Sequence, residues 1–334
     1  MPTNKNITLD DIAINLGVSK TTVSRVISGK GRIGQKTKAK VLAYINESGY
    51  RPNIIAKSLA QKKTYNICVV LHNDVNLVDM PFFQHIQLGI CEYLSEYDYD
   101  VILTTIDNDT REPKALSNLV RIISNHKVDA VLLTRTLNDD QTILYLKKQG
   151  VPFVTIGSYP DDDVYQIDED HFGGSRELVS GLLAQGAHKI ALFGGNTSYI
   201  VNENRKQGFL SAHLDAGINH LPQLEFDNLQ TECEIDKAVV TVISQKADYI
   251  VCMDDYICEI TLRKLNDHRT MISHEIKVAS LFGSTFLAGC FPNITCLDFN
   301  TKEMGRLAGQ KILDIVNGKE VAKRTLLSYR VRGN

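Results

Sequence analysis

Between Leu9 and Gly49 apolar residues recur at helical spacing, and after Asn66 they gather instead into short continuous runs. The first stretch, LDDIAINLGVSKTTVSRVISGKGRIGQKTKAKVLAYINESGYRPN, predicts three helices. Thr8 can cap the first, with Asp11 completing a capping box and Asp10 near the positive helix end. Leu9, Ile12, Ala13 and Leu16 then share one face. Gly17 can take the positive φ that ends this helix, and Ser19 can cap a second one, Lys20 to Ile27. The second helix turns Val23, Val26 and Ile27 inward and leaves Lys20, Thr21, Thr22, Ser24 and Arg25 outward. That outer face is made of donors suited to base edges and phosphates. Gly29 and Gly31 break the pattern, and a third helix of roughly Gln35 to Ser48 buries Val41, Leu42 and Ile45 before Gly49 stops it. Two helices joined by a tight glycine-containing turn, the second polar outside, read as a helix-turn-helix; the plain alternative is a small helical bundle.

Past this head, Pro52 forces Arg51 to be extended, and Asn53 can cap a short helix over IIAKSLA. Two turns are marginal in water, because nucleation is costly and few bonds follow, so this helix forms only with a partner. From Asn66 on, NICVVL, DVILTTI, DAVLLT and PFVTIG read as strands, separated by amphipathic segments beginning near Pro81, Pro113 and Asp140. The same rhythm returns in HKIALFG, ADYIVCM, IKVASLF and ITCLDF. Such alternation predicts parallel sheets covered on both faces, and about nine strands suggest two sheets. The expected fold class is an all-α head followed by a two-lobed α/β body.

Composition and charge refine this picture. At 334 residues and 43% hydrophobic content the chain can bury a large core in two or three domains. No apolar run approaches the ~18 residues of a membrane span, and the start, MPTNKNITLDD, has no apolar signal-peptide core; no membrane association and a cytoplasmic location are expected. Residues 1 to 63 carry 12 Lys and Arg against 3 Asp and Glu, while the remainder carries 25 against 36. A basic head on an acidic body fits a nucleic-acid partner for the head, although charge alone fits a solvated surface equally. Cys68, Cys91, Cys233, Cys252, Cys258, Cys290 and Cys296 form no CxxC pair or metal spacing and read as small core residues.

The body shows no signature of catalysis. Gly194-Gly195 completes neither GxGxxG nor GxxxxGK[ST], His274-Glu275 lacks the second His of HExxH, and GxSxG is absent. No enzyme activity, catalytic residue, cofactor or metal is expected.

The segment LDDIAINLGVSKTTVSRVISG, followed by GYRPNIIAKSLAQKK, closely resembles the signature of the LacI/GalR family of bacterial transcription regulators, and the resemblance extends over essentially the whole chain. Carried over by position, it implies that Lys20 and Thr21 choose the DNA sequence, that Arg25 reaches guanine, and that Thr22, Ser24 and Asn53 touch phosphates. It also implies that paired hinge helices of a homodimer lie in the minor groove, with Leu59 wedged between base pairs and Ala56 beside it. Gly34 departs from the family's Ser or Asp cap on the third helix. The implied body is the periplasmic-binding-protein-like (type I) fold, crossed three times by the chain near residues 158 to 162, 290 to 293 and 318 to 323. The expected domains are a helix-turn-helix domain at 1–50, a hinge helix and linker at 51–65, and an effector-binding and dimerisation domain at 66–334. Its first lobe covers about 66–160 and 292–319, its second about 161–291 and 320–334.

The same resemblance places Phe82, Phe83, Arg205 and Asp255 in an effector cleft, with Asp254 replacing the family's Asn. One ring of the Phe pair can stack on a ligand, and the Arg205 fork can pair with ligand oxygens. The carboxylates at 254 and 255 compete for two roles, helix cap and ligand acceptor. Phe282 stands where the family commonly has an aspartate, which removes a sugar-hydroxyl acceptor and favours an effector with an apolar portion. The reading is a repressor of carbohydrate-utilisation genes that binds a pseudo-palindromic double-stranded operator and answers to a sugar or glycoside. The alternatives are a solute-binding protein without a DNA role and a regulator answering to another effector such as a nucleobase.

Overall fold

The computed structural model describes residues 7–28, 31–50, 58, 61, 63–73, 81–107, 109–112 and 114–333. The expectations for Asn53, Ala56 and Leu59 lie outside these residues. The chain divides into two compact units, Met1–Lys63 and Thr64–Asn334.

In the first unit, α1 (Leu9–Leu16) begins at a capping box: Thr8 Oγ1 accepts from Asp11 N at 3.2 Å, and Asp11 Oδ2 accepts from Thr8 N at 2.8 Å. Gly17 ends it at φ 65°, and Ser19 Oγ accepts from Thr22 N at 3.1 Å to start α2 (Lys20–Ser28). The third helix, α3 (Gln35–Ser48), starts at Gly34 with no side-chain cap and stops at Gly49, φ 63°. Ile12, Ala13, Val23, Val26 and Val41 form the buried centre. Leu42 is not part of it: the residue is 41% exposed, because a step of one residue from Val41 turns it about 100° around the helix, and Tyr44 and Ile45 close the face instead.

The second unit holds two six-stranded sheets. The first contains β1 (Asn66–His72), β2 (Asp100–Ile106), β3 (Ala130–Leu133), β4 (Phe153–Ile156), β5 (Gln166–Glu169) and β11 (Arg324–Leu327), in the order β11-β5-β4-β3-β1-β2, all parallel. The second contains β6 (Ile190–Phe193), β7 (Glu225–Phe226), β8 (Tyr249–Cys252), β9 (Lys277–Ser280), β10 (Thr295–Asp298) and β12 (Arg330–Arg332), in the order β12-β10-β9-β8-β6-β7. Only β12 runs antiparallel to its neighbour.

Burial on both faces explains the continuous apolar runs. Ile67 and Val69 pack against α4 (Pro81–Ser95) and α12 (Thr301–Val316), whereas Cys68 and Val70 point the other way, to α5 (Ser117–Ser124) and α6 (Gln141–Gln149). In the second sheet, Leu192 and Val251 face α7 (His171–Ala184) and α8 (Ile200–Asp215). Phe193 and Ile250 face α9 (Glu232–Gln245) and α10 (Asp255–Asp267). Helices α4 and α12 cross with touching backbones. A Cβ on Gly89 would overlap the Lys302 carbonyl oxygen and lie 2.8 Å from Arg306 N, and one on Gly305 would overlap the Ile86 carbonyl.

Sheet membership moves the lobe crossings. The chain leaves the first sheet after β5, near Asp170, rather than at 158 to 162; it returns after β10, near Phe299, rather than at 290 to 293; and it crosses last near Ser328 rather than at 318 to 323. The first shift comes from β5, whose sequence QIDE lacks an apolar run yet is fully buried; the second comes from the pairing of β10 with β9, and the third from the pairing of β11 with β5. Lys311 Nζ secures this edge by donating to the carbonyls of Gln166 (3.0 Å) and Ala322 (2.8 Å). Burial pulls its ammonium down to about 8.

The cysteines also divide. Cys68, Cys252, Cys258 and Cys296 are buried as expected, but Cys91, Cys233 and Cys290 are exposed, because each falls on the outer face of a helix whose neighbours carry the core contacts. Among the described residues no helix is long and apolar enough to cross a membrane.

Candidate functional site

Parallel strands present their carboxyl ends at one edge, and in this body the two sheets turn those edges toward a shared cleft. The cleft holds a cavity of about 180 Å³, room for roughly six waters or one small organic molecule. Phe82 and Phe83 reach it from the start of α4, Arg205 from α8, Asp255 from the start of α10, and Phe282 from the turn after β9. All five residues expected at the effector cleft thus line one cavity.

Its apolar wall is a chain of rings. Phe82 meets Phe83 edge-on at 5.0 Å and Phe282 at 5.4 Å, and Phe282 stacks on Phe299 at 6.0 Å. Phe282 therefore spends most of its surface on other rings and offers the cavity an apolar patch in place of an acceptor.

The polar wall centres on Arg205, which is 6% exposed. Burial pulls its guanidinium below the ordinary value, and the carboxyls of Asp254, Glu169, Asp168 and Asp255 oppose that pull. Arg205 Nη2 lies 3.5 Å from His171 Nδ1, and His171 Nε2 lies 3.4 Å from Asp168 Oδ1. Burial, with help from Arg205, lowers His171 and keeps it neutral. One tautomer then suits both neighbours: Nδ1 accepts from Arg205 while Nε2–H points at Asp168. Burial pushes Asp168 up, but His171 and the bonds donated by Ser158 N (2.8 Å) and Oγ (2.6 Å) outweigh it and hold the carboxyl low.

Glu169 faces the opposite situation. Burial and the Asp168 charge push its carboxyl well above the ordinary range, and neither oxygen has a hydrogen-bond partner among the described residues. A raised folded value means that its stabilising protonated form is fully present below the unfolded value and is lost as pH rises toward the folded one. Glu169→Gln is accordingly expected to melt a few degrees above the parent at about pH 8, with the gap closing at about pH 4. Melting curves across that range check it, and a lower melting temperature for the variant at the alkaline end contradicts it.

The two carboxylates after β8 divide the competing roles. Asp254 caps α10 by accepting from Ile257 N at 2.8 Å, and burial pushes its carboxyl up to about 6. Asp255 is also raised by burial, and its Oδ1 is buried with no hydrogen-bond partner among the described residues, which leaves it suited to a ligand donor.

Arg135, Tyr199, Asp168 and His171 line the cavity without having been singled out from the sequence. Arg135 lies just past the end of β3, after Thr134, and its guanidinium sits 3.7 Å above the Tyr199 ring and 5.4 Å from that of Phe83. Its place at a strand end was a usable signal; Tyr199 offered none.

On the first unit, Lys20, Thr21, Ser24 and Arg25 occupy the exposed face of α2, and Thr22 is half-buried with its hydroxyl 2.9 Å from that of Ser19. Lys20 Nζ pairs with Asp10 Oδ2 at 2.7 Å across exposed surface, a contact that water and salt weaken enough for another anion to replace it.

Residues 8–53 match the bacterial regulatory proteins of the lacI family, and residues 64–331 match the periplasmic binding proteins and sugar binding domain of the LacI family. The chain is 27% identical over 327 residues to the HTH-type transcriptional regulator CelR of Thermobifida fusca, covering 96% of this chain and 94% of the relative. Its structure is similar to that of a CelR–cellobiose complex, with a TM-score of 0.72, 26% identity and 98% of each chain covered. It shares its fold with the lac repressor dimer bound to operator and the anti-inducer ONPF, with a TM-score of 0.77, 22% identity and 98% of each chain covered. With a regulatory head and a sugar-binding-type body both matched, the chain belongs to the LacI family of bacterial regulatory proteins.

Proposed function

We propose that this protein is a sequence-specific DNA-binding transcription regulator, a repressor of carbohydrate-utilisation genes whose hold on its operator is set by a sugar or glycoside bound between the two lobes. The observation that carries this reading is the convergence of Phe82, Phe83, Arg205, Asp255 and Phe282 on one cavity, in a chain with a helix-turn-helix head. Ring faces beside buried carboxylates and a guanidinium suit a sugar, whose C–H face is apolar and whose edge carries hydroxyls. The CelR–cellobiose complex of a relative supports the same ligand class.

A homodimer would set each α2 in a major-groove half-site of a pseudo-palindromic operator. Lys20, Thr21 and Arg25 read bases there, Thr22, Ser24 and Asn53 hold phosphates, and Ala56 and Leu59 enter the minor groove between half-sites. Effector binding that favours a lobe arrangement incompatible with paired hinges weakens DNA binding by the same factor. The body does no chemistry in this scheme; the named relative is a regulator, and the protein acts in the cytoplasm, where its DNA is.

Arg25→Ala is expected to cost about 1–3 kcal/mol on the operator and to relax the preference at one base pair, with a smaller loss on random DNA. Fluorescence anisotropy on both duplexes tests this; an equal loss on the two removes Arg25 from base reading.

A further inference from the structure

The three crossings lie along one side of the body, at the β5/β11 edge of the first sheet and the β10/β12 edge of the second. On the first sheet β4 separates β3 from that side, and on the second β8 and β9 separate β6 from it. The segments that follow β3 and β6 therefore lie inward of the edges where the chain crosses. The cavity extends from Asp168 and His171, beside a crossing, to Arg135 and Tyr199, on these inner segments.

There the two lobes are joined. Leu137 and Tyr199 form an antiparallel β-bridge. Asn138 N donates to Ser198 O at 3.0 Å, and Asn138 Nδ2 donates to Thr197 O at 3.2 Å. The Arg135 guanidinium of the first lobe covers the Tyr199 ring of the second at 3.7 Å. Both ends are braced within their own lobes: Thr136 Oγ1 donates to Ser158 O at 2.8 Å, and Thr197 N donates to Asn228 Oδ1 at 3.1 Å. Leu137 and Tyr199 are each 5% exposed, so the bridge is a packed contact rather than a surface brush.

We propose that residues 135–138 and 196–199 form a strap that clasps the two lobes together beside the cavity through protein–protein contacts alone, so that the lobes part there only when the strap opens. The inference rests on the cavity being the effector site, but the contacts that join the two lobes need no third molecule. The Arg135–Tyr199 pair is the element that sets how often the strap opens. A cation held over a ring away from bulk water is attracted more strongly than one at an exposed site. Opening breaks that pair and the bridge together, in the manner of a local opening event.

Hydrogen exchange on the full-length protein, with no sugar added, reads the strap directly. The amides of residues 136–139 and 198–200 are expected to exchange at least about tenfold more slowly than unstructured peptide. Tyr199→Ala should speed both segments by about tenfold while leaving the amides of α9 unchanged. Exchange at the unstructured rate in the parent protein overturns the strap, and unchanged exchange in Tyr199→Ala overturns the role of the ring. If that variant fails to fold, the double substitution Leu137→Cys with Tyr199→Cys takes its place. Directly opposed bridge partners stand within disulfide reach, so the cross-link should form under mild oxidation in the free protein, mapped by mass spectrometry; its absence overturns the proposal. Neither measurement uses an effector. A protected strap in a protein that binds no sugar defeats the effector reading alone, and an open strap in one that does defeats this inference alone.

Discussion

Arg205→Ala is expected to abolish the response to effector and to cost the body about 3–5 kcal/mol of stability, because it strips the counter-charge from a buried acidic cluster. Asp168, Asp254, Asp255 and Glu169 all act on the guanidinium, and His171 turns a ring nitrogen toward it. Without it, one or more of these carboxyls must take up a proton or draw water into the core. The loss appears as a lower melting temperature together with operator binding that no sugar alters. Arg205→Lys separates the two effects: it keeps a positive charge but loses the planar fork, so the fold should survive while the response disappears. A normal sugar response in Arg205→Lys excludes the fork from ligand contact.

The second large effect is expected far from any ligand. Gly89→Val places a branched side chain where α4 and α12 touch through their backbones, and no rotamer clears the Lys302 carbonyl. The helices must part, which costs about 3 kcal/mol or more and lowers the melting temperature on the order of 10 °C. The damage reaches the site as well, since α4 carries Phe82 and Phe83 in its first turn. Gly181→Ala supplies the contrast. That glycine is in α7 with nothing within 4 Å of an added Cβ, so alanine should stabilise by roughly 0.5–1 kcal/mol. Thermal melts of the pair decide the matter: a Gly89→Val protein as stable as its parent contradicts the close crossing.

The parts of this molecule that were legible in the sequence are those governed by local rules. Thr8, Gly17, Ser19 and Gly49 act where they stand, through caps and positive φ, and the structure uses each as expected. The central strands were legible because a parallel strand buried on both faces must be apolar through its middle, as ICVVL is. Strand β5 hid because its buried Gln166, Asp168 and Glu169 look like a loop until their partners are known, and that displaced the first lobe crossing. Short edge strands such as β7 and β12 carry too few residues for any period to show.

The site divides in the same way. Phe82, Phe83, Arg205, Asp255 and Phe282, which line one cavity, were singled out through strand-end position combined with family resemblance. Arg135 and Tyr199 were not, because their meaning comes from an encounter between residues 64 apart in the chain, on different lobes. The division of labour between Asp254 and Asp255 also needed geometry: the bond from Ile257 N marks the cap and leaves Asp255 Oδ1 without a hydrogen-bond partner among the described residues.

Sugar in the body is expected to change DNA binding by the head. The most direct measurement of this coupling is an anisotropy titration of the full-length protein on a duplex selected by that protein from random DNA, repeated with cellobiose and a panel of other mono- and disaccharides. The expected result is a two-fold symmetric selected sequence and at least one sugar that shifts its affinity between about 5-fold and 150-fold, a shift that Arg205→Lys removes. Selection that yields no sequence preference, or an affinity that no sugar changes, contradicts it.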